Sequence, residues 1–452
     1  MSKNNVKTQK ELLKEALVSE EEQPYKVLEN WVWVKLGHIV SVKTGKKDAN
    51  HATEDGRYPF FTCASEPISS PTFSFEGDSI ILPGNGANVG LVLYFSGKFE
   101  AYQRTYVLQS QVAYLKYIYY HLLFGWKAHN ADKQYGSATN YIKLANITEY
   151  SMPLPPLNEQ KRIADKVEKL LDKINQAKQL IKEAKETFEL RRAAILDKAF
   201  RGELTKKWRE DKTVKSIYLN SEKNNVSFEL PTGWKWIKSV NLFNDFPRNG
   251  YSPKSTDSSF NTKTLKLGAI TKGYYKDNEF KYIDESIDQD SHLWLKNGDF
   301  LIQRANSIEY VGTSAIFTGP DDDCIYPDLI MKGKVNEAIV LPQYLVLWIN
   351  SMYGKQYFRQ NATGTAGNMP KINKTVLQNL LVPIPPLEEQ NAILKILNNI
   401  SDSDSSVMNR IEEIQPNVDL LVNGILKKAF SGELGTTSNE DESAIELLKR
   451  IT

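Results

Sequence analysis

Four short stretches combine side chains that hydrogen-bond to base edges with small residues that bring a backbone close to phosphate. They are Lys43-Thr-Gly-Lys46-Lys47, Tyr102-Gln103-Arg104-Thr105, Arg248-Asn249-Gly250-Tyr251 and Gln303-Arg304-Ala305-Asn306. Arg, Lys, Asn and Gln pair bidentately with base edges, while backbone amides and small hydroxyl side chains position a chain on phosphates. Two further runs, Gly136-Ser137-Ala138-Thr139-Asn140 and Gly364-Thr365-Ala366-Gly367-Asn368, have the same character. The candidate contact set is Lys46, Lys47, Tyr102, Gln103, Arg104, Ser137, Thr139 and Asn140 in the first half of the chain. In the second half it is Arg248, Tyr251, Lys254, Arg304, Asn306, Thr365, Asn368 and Lys371. Any one cluster reads equally well as an ordinary polar turn; their recurrence in both halves is what favours the set.

Other chemistries lack their residues. There is no Gly-x-x-x-x-Gly-Lys-Ser/Thr phosphate loop, and Gly84-Asn-Gly86-Ala-Asn-Val-Gly90 lacks dinucleotide spacing. No Asn/Asp-Pro-Pro-Tyr/Phe run is present to grip a flipped adenine, since Leu154 precedes Pro155-Pro156. The five histidines (His38, His51, His121, His129, His292) form no His-x-x-x-His pair, and Cys63 and Cys324 form neither a metal cluster nor a disulfide framework. Asp321-Asp322-Asp323 reads as a solvated turn. The polar N-terminus is not a secretion signal, and no apolar run approaches the ~18–20 residues needed to cross a bilayer. The expectation is a cytoplasmic, non-catalytic binder with no metal or cofactor of its own. The net charge of +2 excludes a generic polycation, and residues 31–150 hold 11 Lys/Arg against 9 Asp/Glu, so contact would have to come from local clusters.

The elements that must position these clusters are announced by an internal repeat. Pro155-Pro-Leu-Asn-Glu-Gln160 returns as Pro385-Pro-Leu-Glu-Glu-Gln390, and Ile195-Leu-Asp-Lys-Ala-Phe-Arg-Gly-Glu-Leu204 as Ile425-Leu-Lys-Lys-Ala-Phe-Ser-Gly-Glu-Leu434, both at an offset of 230 residues. Between these anchors, Ile163, Val167, Leu170, Ile174, Ala177, Ile181, Ala184, Phe188 and Ile195 follow the 4-3 spacing of a coiled-coil seam, interrupted at Arg191. The second copy offers Ile393, Leu397, Ile400, Val407, Ile411, Ile414, Val418, Leu421 and Ile425, interrupted at Asp404. The double prolines bar helix upstream, and Gly202 and Gly432 mark the ends. Residues 157–209 carry 15 Lys/Arg and 9 Asp/Glu, whereas 387–434 carry 4 and 8. Two helices of opposite charge with bare apolar stripes should cover each other, and an antiparallel pairing is expected. Self-association between chains is the alternative. Pro416 should kink the second helix.

Each helix is preceded by a globular segment led by Trp-x-Trp: Trp31-Val-Trp33 and Trp234-Lys-Trp236. Residues 33–36, 79–82 and 91–95 read as strands in the first, 300–302 and 315–317 in the second, with aromatic-rich helices expected at 114–126 and 342–358. Gly77-Asp78 echoes Gly298-Asp299. Short helices are expected at 11–17 and 443–451, close to one another.

The doubled Pro-Pro-Leu-x-Glu-Gln, long helix and Ala-Phe-x-Gly-Glu-Leu, each behind a Trp-x-Trp-led variable unit, resembles the DNA-specificity subunit of type I restriction–modification enzymes over about residues 28–434. The resemblance implies an α+β fold: two α/β target-recognition domains separated by two long antiparallel coiled-coil helices, with a pseudo-twofold internal repeat. Its parts would be an N-terminal helical extension (1–27), recognition domain 1 (28–156), helix 1 (157–204), a linker (205–229), recognition domain 2 (230–386), helix 2 (387–434) and a tail (435–452). It further implies that each domain reads half of a bipartite target in double-stranded DNA and that the helices set the spacer. The implied partners are two methyltransferase subunits using S-adenosylmethionine and restriction subunits using ATP and Mg. The competing classes are a stand-alone restriction or methyltransferase polypeptide and a coiled-coil adaptor without DNA.

Overall fold

The computed structural model describes residues 8–136, 140–211, 228–253, 255–256, 262–364, 369–438 and 440–450, without the side chains of 255, 256 and 403. Ser137, Thr139, Lys254, Thr365 and Asn368 therefore lie outside the described residues or side chains. In chain order the elements begin with α1 (Gln9–Ala16), β1 (Val32–Lys35), β2 (Ser41–Thr44), β3 (Tyr58–Phe61), β4 (Ile68–Ser70), β5 (Phe75–Pro83), β6 (Leu93–Ala101) and β7 (Thr105–Gln109). Then come α2 (Leu115–His129), α3 (Leu144–Thr148), β8 (Ser151–Leu154), α4 (Leu157–Phe200) and α5 (Lys206–Glu210). The second half continues with β9 (Lys235–Lys238), β10 (Phe243–Asn249), β11 (Ser255–Thr256), β12 (Thr262–Leu265), β13 (Phe280–Ile283), β14 (Phe300–Gln303), β15 (Ser314–Ile316) and β16 (Ile330–Val335). It ends with α6 (Pro342–Asn350), α7 (Met352–Asn361), α8 (Lys374–Asn379), β17 (Leu381–Ile384), α9 (Leu387–Phe430) and α10 (Ala444–Lys449).

The chain divides into two compact units, one of residues 1–181 and 411–452, the other of 182–410. The first unit holds a six-stranded sheet in the order β2-β7-β5-β6-β3-β4, and the second a four-stranded sheet in the order β10-β16-β14-β15. Numbered within each unit, β2, β5, β6, β7 and β10, β14, β15, β16 give one shared order: first, fourth, second, third. The divergence falls between the first and second of these strands. The first unit inserts β3 and β4 there, joined to the main sheet by the parallel β3–β6 pair. The second inserts a separate three-stranded sheet, β11-β13-β12. Each unit also has a two-stranded ladder in which the Trp-x-Trp strand pairs with the strand before Pro-Pro: Trp33 opposite Pro153, Trp236 opposite Pro383. Gly77 (φ 93°) and Gly298 (φ 86°) both adopt the left-handed region, the reason glycine recurs in the Gly-Asp echo.

Both long helices run 44 residues, about 66 Å at ~1.5 Å per residue. Within the first unit the N-terminal half of α4 (Ile163, Ala164, Val167) shares a core with the C-terminal end of α9 (Leu426, Ala429, Phe430). Within the second, the C-terminal end of α4 (Ala199, Phe200) shares a core with the N-terminal half of α9 (Ile393, Leu397). In each unit the paired segments run antiparallel. The charge asymmetry appears as cross-helix pairs with the cation on α4: Lys178–Asp419 at 2.6 Å in the first unit and Arg191–Asp404 at 3.3 Å in the second. The two interruptions of the apolar seams thus face each other and bond.

The seam of α4 is inward along its length: Ile163, Val167 and Ile174 are buried, and Leu170, Ile181, Phe188 and Ile195 half-buried. That of α9 differs from expectation. Ile393, Leu397 and Val418 are buried and Ile400, Ile411 and Ile425 half-buried, but Val407, Ile414 and Leu421 are 44%, 51% and 56% exposed. The inward stripe instead runs Ile400, Asp404, Met408, Ile411, and resumes at Val418, Val422, Leu426 and Ala429. Two successive four-residue steps around Asp404 form a stutter. It places Met408 inward where the strict repeat has Val407, and a second pair of four-residue steps, 418–422–426, places Val422 inward where the repeat has Leu421, taking up the mismatch between 3.6 residues per turn and a 3.5-residue repeat. The helix is continuous through Pro416.

The expected helix at 342–358 is two helices, α6 and α7, broken at Ser351, whose backbone is extended (ψ 171°). Asn350 is drawn away to clamp β15, accepting from Ser314 N (2.9 Å) and donating to its O (2.8 Å). α1 and α10 do meet: Gln9 Nε2 donates to Lys449 O at 2.6 Å.

Candidate nucleic-acid interface

The repeated Pro-Pro-Leu-x-Glu-Gln motif is a structural clasp. Glu159 and Glu389 are fully buried and accept from the indole N–H of Trp31 and Trp234, each at 2.9 Å. Gln160 accepts from Tyr114 N and donates to Pro155 O, each at 2.8 Å; Gln390 does the same with Leu341 N and Pro385 O. Tyr117 and Tyr344 hydroxyls donate to the carbonyls of Pro153 and Pro383. Threonines just past the second motif close each clasp from the other repeat: Thr436 donates to Glu159 (3.3 Å) and Thr205 to Glu389 (2.6 Å). Phe430 packs edge-on against Tyr117 and His121, and Phe200 against Tyr344 and Trp348. The clasps differ in charge. Arg209 pairs with Glu389, whereas burial pushes the Glu159 carboxyl above its ordinary range, partly offset by Trp31 and Thr436.

These clasps hold the sheets whose loops carry the candidate contacts. In the first unit Lys47 bridges Tyr102, and Gln103 N donates to Lys47 O at 3.0 Å. Arg104 O accepts from Gly84 N (2.9 Å), and Gly86 N donates to Asn140 O (2.8 Å). Lys46, Lys47, Tyr102, Gln103, Arg104 and Asn140 are thus joined in one loop cluster, with Lys46, Gln103, Arg104 and Asn140 exposed. In the second unit Arg304 N donates to Leu329 O and Ile372 N to Arg304 O, both at 2.8 Å, while Ala305 bridges Lys371 and Asn306 N reaches Pro370 O. Arg304, Asn306 and Lys371 therefore share a second cluster. Tyr251 N bonds Tyr326 O nearby, but its hydroxyl donates to Glu285 at 2.7 Å, which raises its pKa, and Arg248 lies 3.2 Å from Asp245. Arg248 and Tyr251 thus have acidic partners of their own.

The hydrogen bonds show how the two polar clusters correspond. Arg304 N to Leu329 O matches Gly84 N to Arg104 O, and Ile372 N to Arg304 O matches Ile142 N to Gly84 O (2.9 Å). Arg304 therefore occupies the place of Gly84, and Arg104 that of Leu329; the two arginines are not counterparts. Sequence reading also missed Asn85, Tyr135, Tyr141 and Lys143. Tyr135 pairs with Tyr141, which also bridges Asn85, and Lys143 Nζ lies 4.0 Å above the Tyr135 ring. The available signal was the repeat offset itself, which sets Tyr141 opposite Lys371. Among the described residues no group of His, Cys, Asp and Glu side chains is arranged to hold a metal ion, and no helix is long and apolar enough to cross a membrane.

A family profile described as type I restriction modification DNA specificity domain matches residues 28–186 and 231–415, one match for each repeat. The chain belongs to that family. The specificity subunit of the type I restriction enzyme EcoDI from Escherichia coli is 28% identical over 438 residues, covering 93% of this chain and 94% of that protein. The EcoKI specificity subunit from Escherichia coli strain K12 is 26% identical, covering 70% and 66%. A chain solved in a study of complex assembly and conformational transition of the type I R-M system shares the fold with a TM-score of 0.68 at 19% identity, covering 91% of this chain and all of that one. The HsdS subunit from Thermoanaerobacter tengcongensis gives 0.52 at 19% identity, covering 91% and 99%. As a type I specificity subunit, the chain recognises a DNA target sequence, and methylation and restriction are the work of partner subunits.

Proposed function

We propose that the chain reads a bipartite target in double-stranded DNA, one half-site through residues 28–156 and the other through 230–386, with the helices at 157–204 and 387–434 setting the unspecified spacer. The observation that carries this reading is the shared strand order of the two units, first-fourth-second-third, with different insertions after the first strand. One frame carrying two unlike loop sets suits two readers of different sequences. Among the described residues Lys46, Lys47, Arg104, Arg304 and Lys371 have no ion-pair partner, which leaves them available to phosphates and base edges. The chain binds no cofactor itself. Two methyltransferase subunits would bring S-adenosylmethionine, and restriction subunits ATP and Mg, in the cytoplasm, where the thiols of Cys63 and Cys324 stay reduced.

The test is exchange of 28–156 for the matching segment of another specificity subunit, followed by selection of bound duplexes from a randomised library by the assembled complex. One half-site should change while the other half-site and the spacer persist. Simultaneous change of both half-sites would contradict independent readers.

A further inference from the structure

Where the two repeats need the same structure, they keep the same residues: Trp31 and Trp234, Glu159 and Glu389, Gln160 and Gln390, Tyr117 and Tyr344, Phe430 and Phe200. One other place keeps the backbone and changes every side chain. In the first unit Tyr141 bridges Asn85 on one side and Tyr135 on the other; in the second, Lys371 bridges Ala305 and Thr363. The hydrogen bonds correspond throughout. Tyr135 and Tyr141 exchange N–H···O bonds at 2.9 Å in both directions, and Thr363 and Lys371 do so at 2.8 and 2.9 Å. Gly86 N reaches Asn140 O as Asn306 N reaches Pro370 O. This is a ladder of three bridged positions, or rungs, built twice: Asn85, Tyr141 and Tyr135 in the first unit, and Ala305, Lys371 and Thr363 in the second.

Resting on the half-site reading above, we infer that this ladder is the specificity-determining element of each unit, and that its side chains choose the bases read by the loops beside it. Bridge partners point to one face of a ladder, and the rings of Tyr135 and Tyr141 lie 5.6 Å apart at 30°. Both rings stay about 40% exposed, with Lys143 exposed above one of them. A solvent-facing tyrosine pair topped by a cation contributes little to a core. It offers aromatic edges, hydroxyls and a positive charge to a groove. In the second unit the same rungs present the exposed Lys371 and Thr363, flanked by Arg304 where the first unit has Gly84. A lysine or arginine pairs with guanine O6 and N7, which a tyrosine does not reproduce. The two ladders therefore select different bases from one backbone geometry, whereas the clasps, whose glutamates and glutamines are fully buried, are kept alike.

The experiment exchanges the rungs. In the full chain assembled with its modification subunits, Tyr141→Lys with Asn85→Ala and Tyr135→Thr gives the first unit the second unit's side chains. Separately, Lys371→Ala empties the central rung of the second unit. Binding is measured by competition among duplexes varied at one half-site at a time. The first variant should lose its original first half-site preference by on the order of 10- to 100-fold and keep the second; Lys371→Ala should do the converse. The untouched half-site reports that each variant is folded and assembled. Unchanged preferences at both half-sites in both variants would overturn the ladder assignment while leaving the bipartite reading intact. Loss of both preferences from a single exchange would overturn it too. A parent complex that prefers no bipartite duplex would instead overturn the half-site reading beneath it.

Discussion

The two clasps look alike and differ in charge, so one substitution should cost different amounts at the two sites. In Glu389→Gln the amide oxygen still accepts from Trp234 Nε1 or Thr205, but the charge opposite Arg209 is gone. The carboxylate is fully buried and the Arg209 side chain is 15% exposed, so the pair is shielded from water and breaking it costs about 3–5 kcal/mol. In Glu159→Gln no direct ion pair is broken, since the nearby Arg162 pairs with Asp441. Charge-assisted hydrogen bonds from Trp31 and Thr436 become neutral ones, a loss of roughly 1 kcal/mol, and relief of the buried charge offsets it. Hydrogen exchange of the full chain in increasing urea should show this locally. The β9–β17 ladder should lose protection in Glu389→Gln, and β1–β8 should change little in Glu159→Gln. Acidity adds a second check. Because the native pKa of Glu159 is raised, the native state holds more protons than the unfolded state between the two pKa values, so its contribution to stability falls as pH rises through that window. Glu159→Gln, which does not titrate there, should gain on the wild type as pH rises and lose that gain as pH falls. Equal costs at the two sites, or a neutral Glu389→Gln, would refute the reasoning.

Three further outcomes follow. Phe430→Ala removes a fully buried ring from the first unit and should cost about 3–5 kcal/mol, seen as lost exchange protection in α2, while Phe200→Ala should do the same to α6. Arg104→Ala and Arg304→Ala should each weaken binding by the assembled complex: a base contact relaxes one position by ~1–3 kcal/mol, and a phosphate contact flattens the salt dependence instead. Inserting four residues after Ala184 and four after Ile411 lengthens each helix by ~6 Å, so the preferred spacer should grow by roughly one to two base pairs at ~3.4 Å each; a functional variant with the original spacer would remove the helices from that role.

Much of the architecture is legible in the chain because the repeat exposes it. Closely matching anchors 230 residues apart delimit the helices, their 4-3 spacing marks a seam, and opposite charge on the two copies anticipates Lys178–Asp419 and Arg191–Asp404. The stutter in α9 escapes that reading because Val407, Ile414 and Leu421 keep the strict repeat in sequence, while the inward stripe moves to Met408 and Val422. The break at Ser351 is hidden because Asn350 answers to β15, a partner remote in sequence. Buried Glu389 and Glu159 look like motif letters until Trp234, Trp31 and the threonines of the other repeat are found around them. The candidate contacts are legible as residue types and not as geometry. Lys46, Arg104 and Asn140 are distant in sequence and joined only by loop hydrogen bonds, and the likeness of Arg104 to Arg304 dissolves once Gly84 is seen in Arg304's place. Tyr135 and Tyr141 escaped notice because tyrosines beside a glycine-rich turn resemble ordinary strand residues.

The most direct test of the central claim is the methylation pattern of genomic DNA in cells that carry this chain with its modification subunits. Two short half-sites separated by a gap of fixed length and free sequence are predicted, with methylated adenines in both. A single uninterrupted motif, or half-sites whose separation varies from site to site, would contradict it.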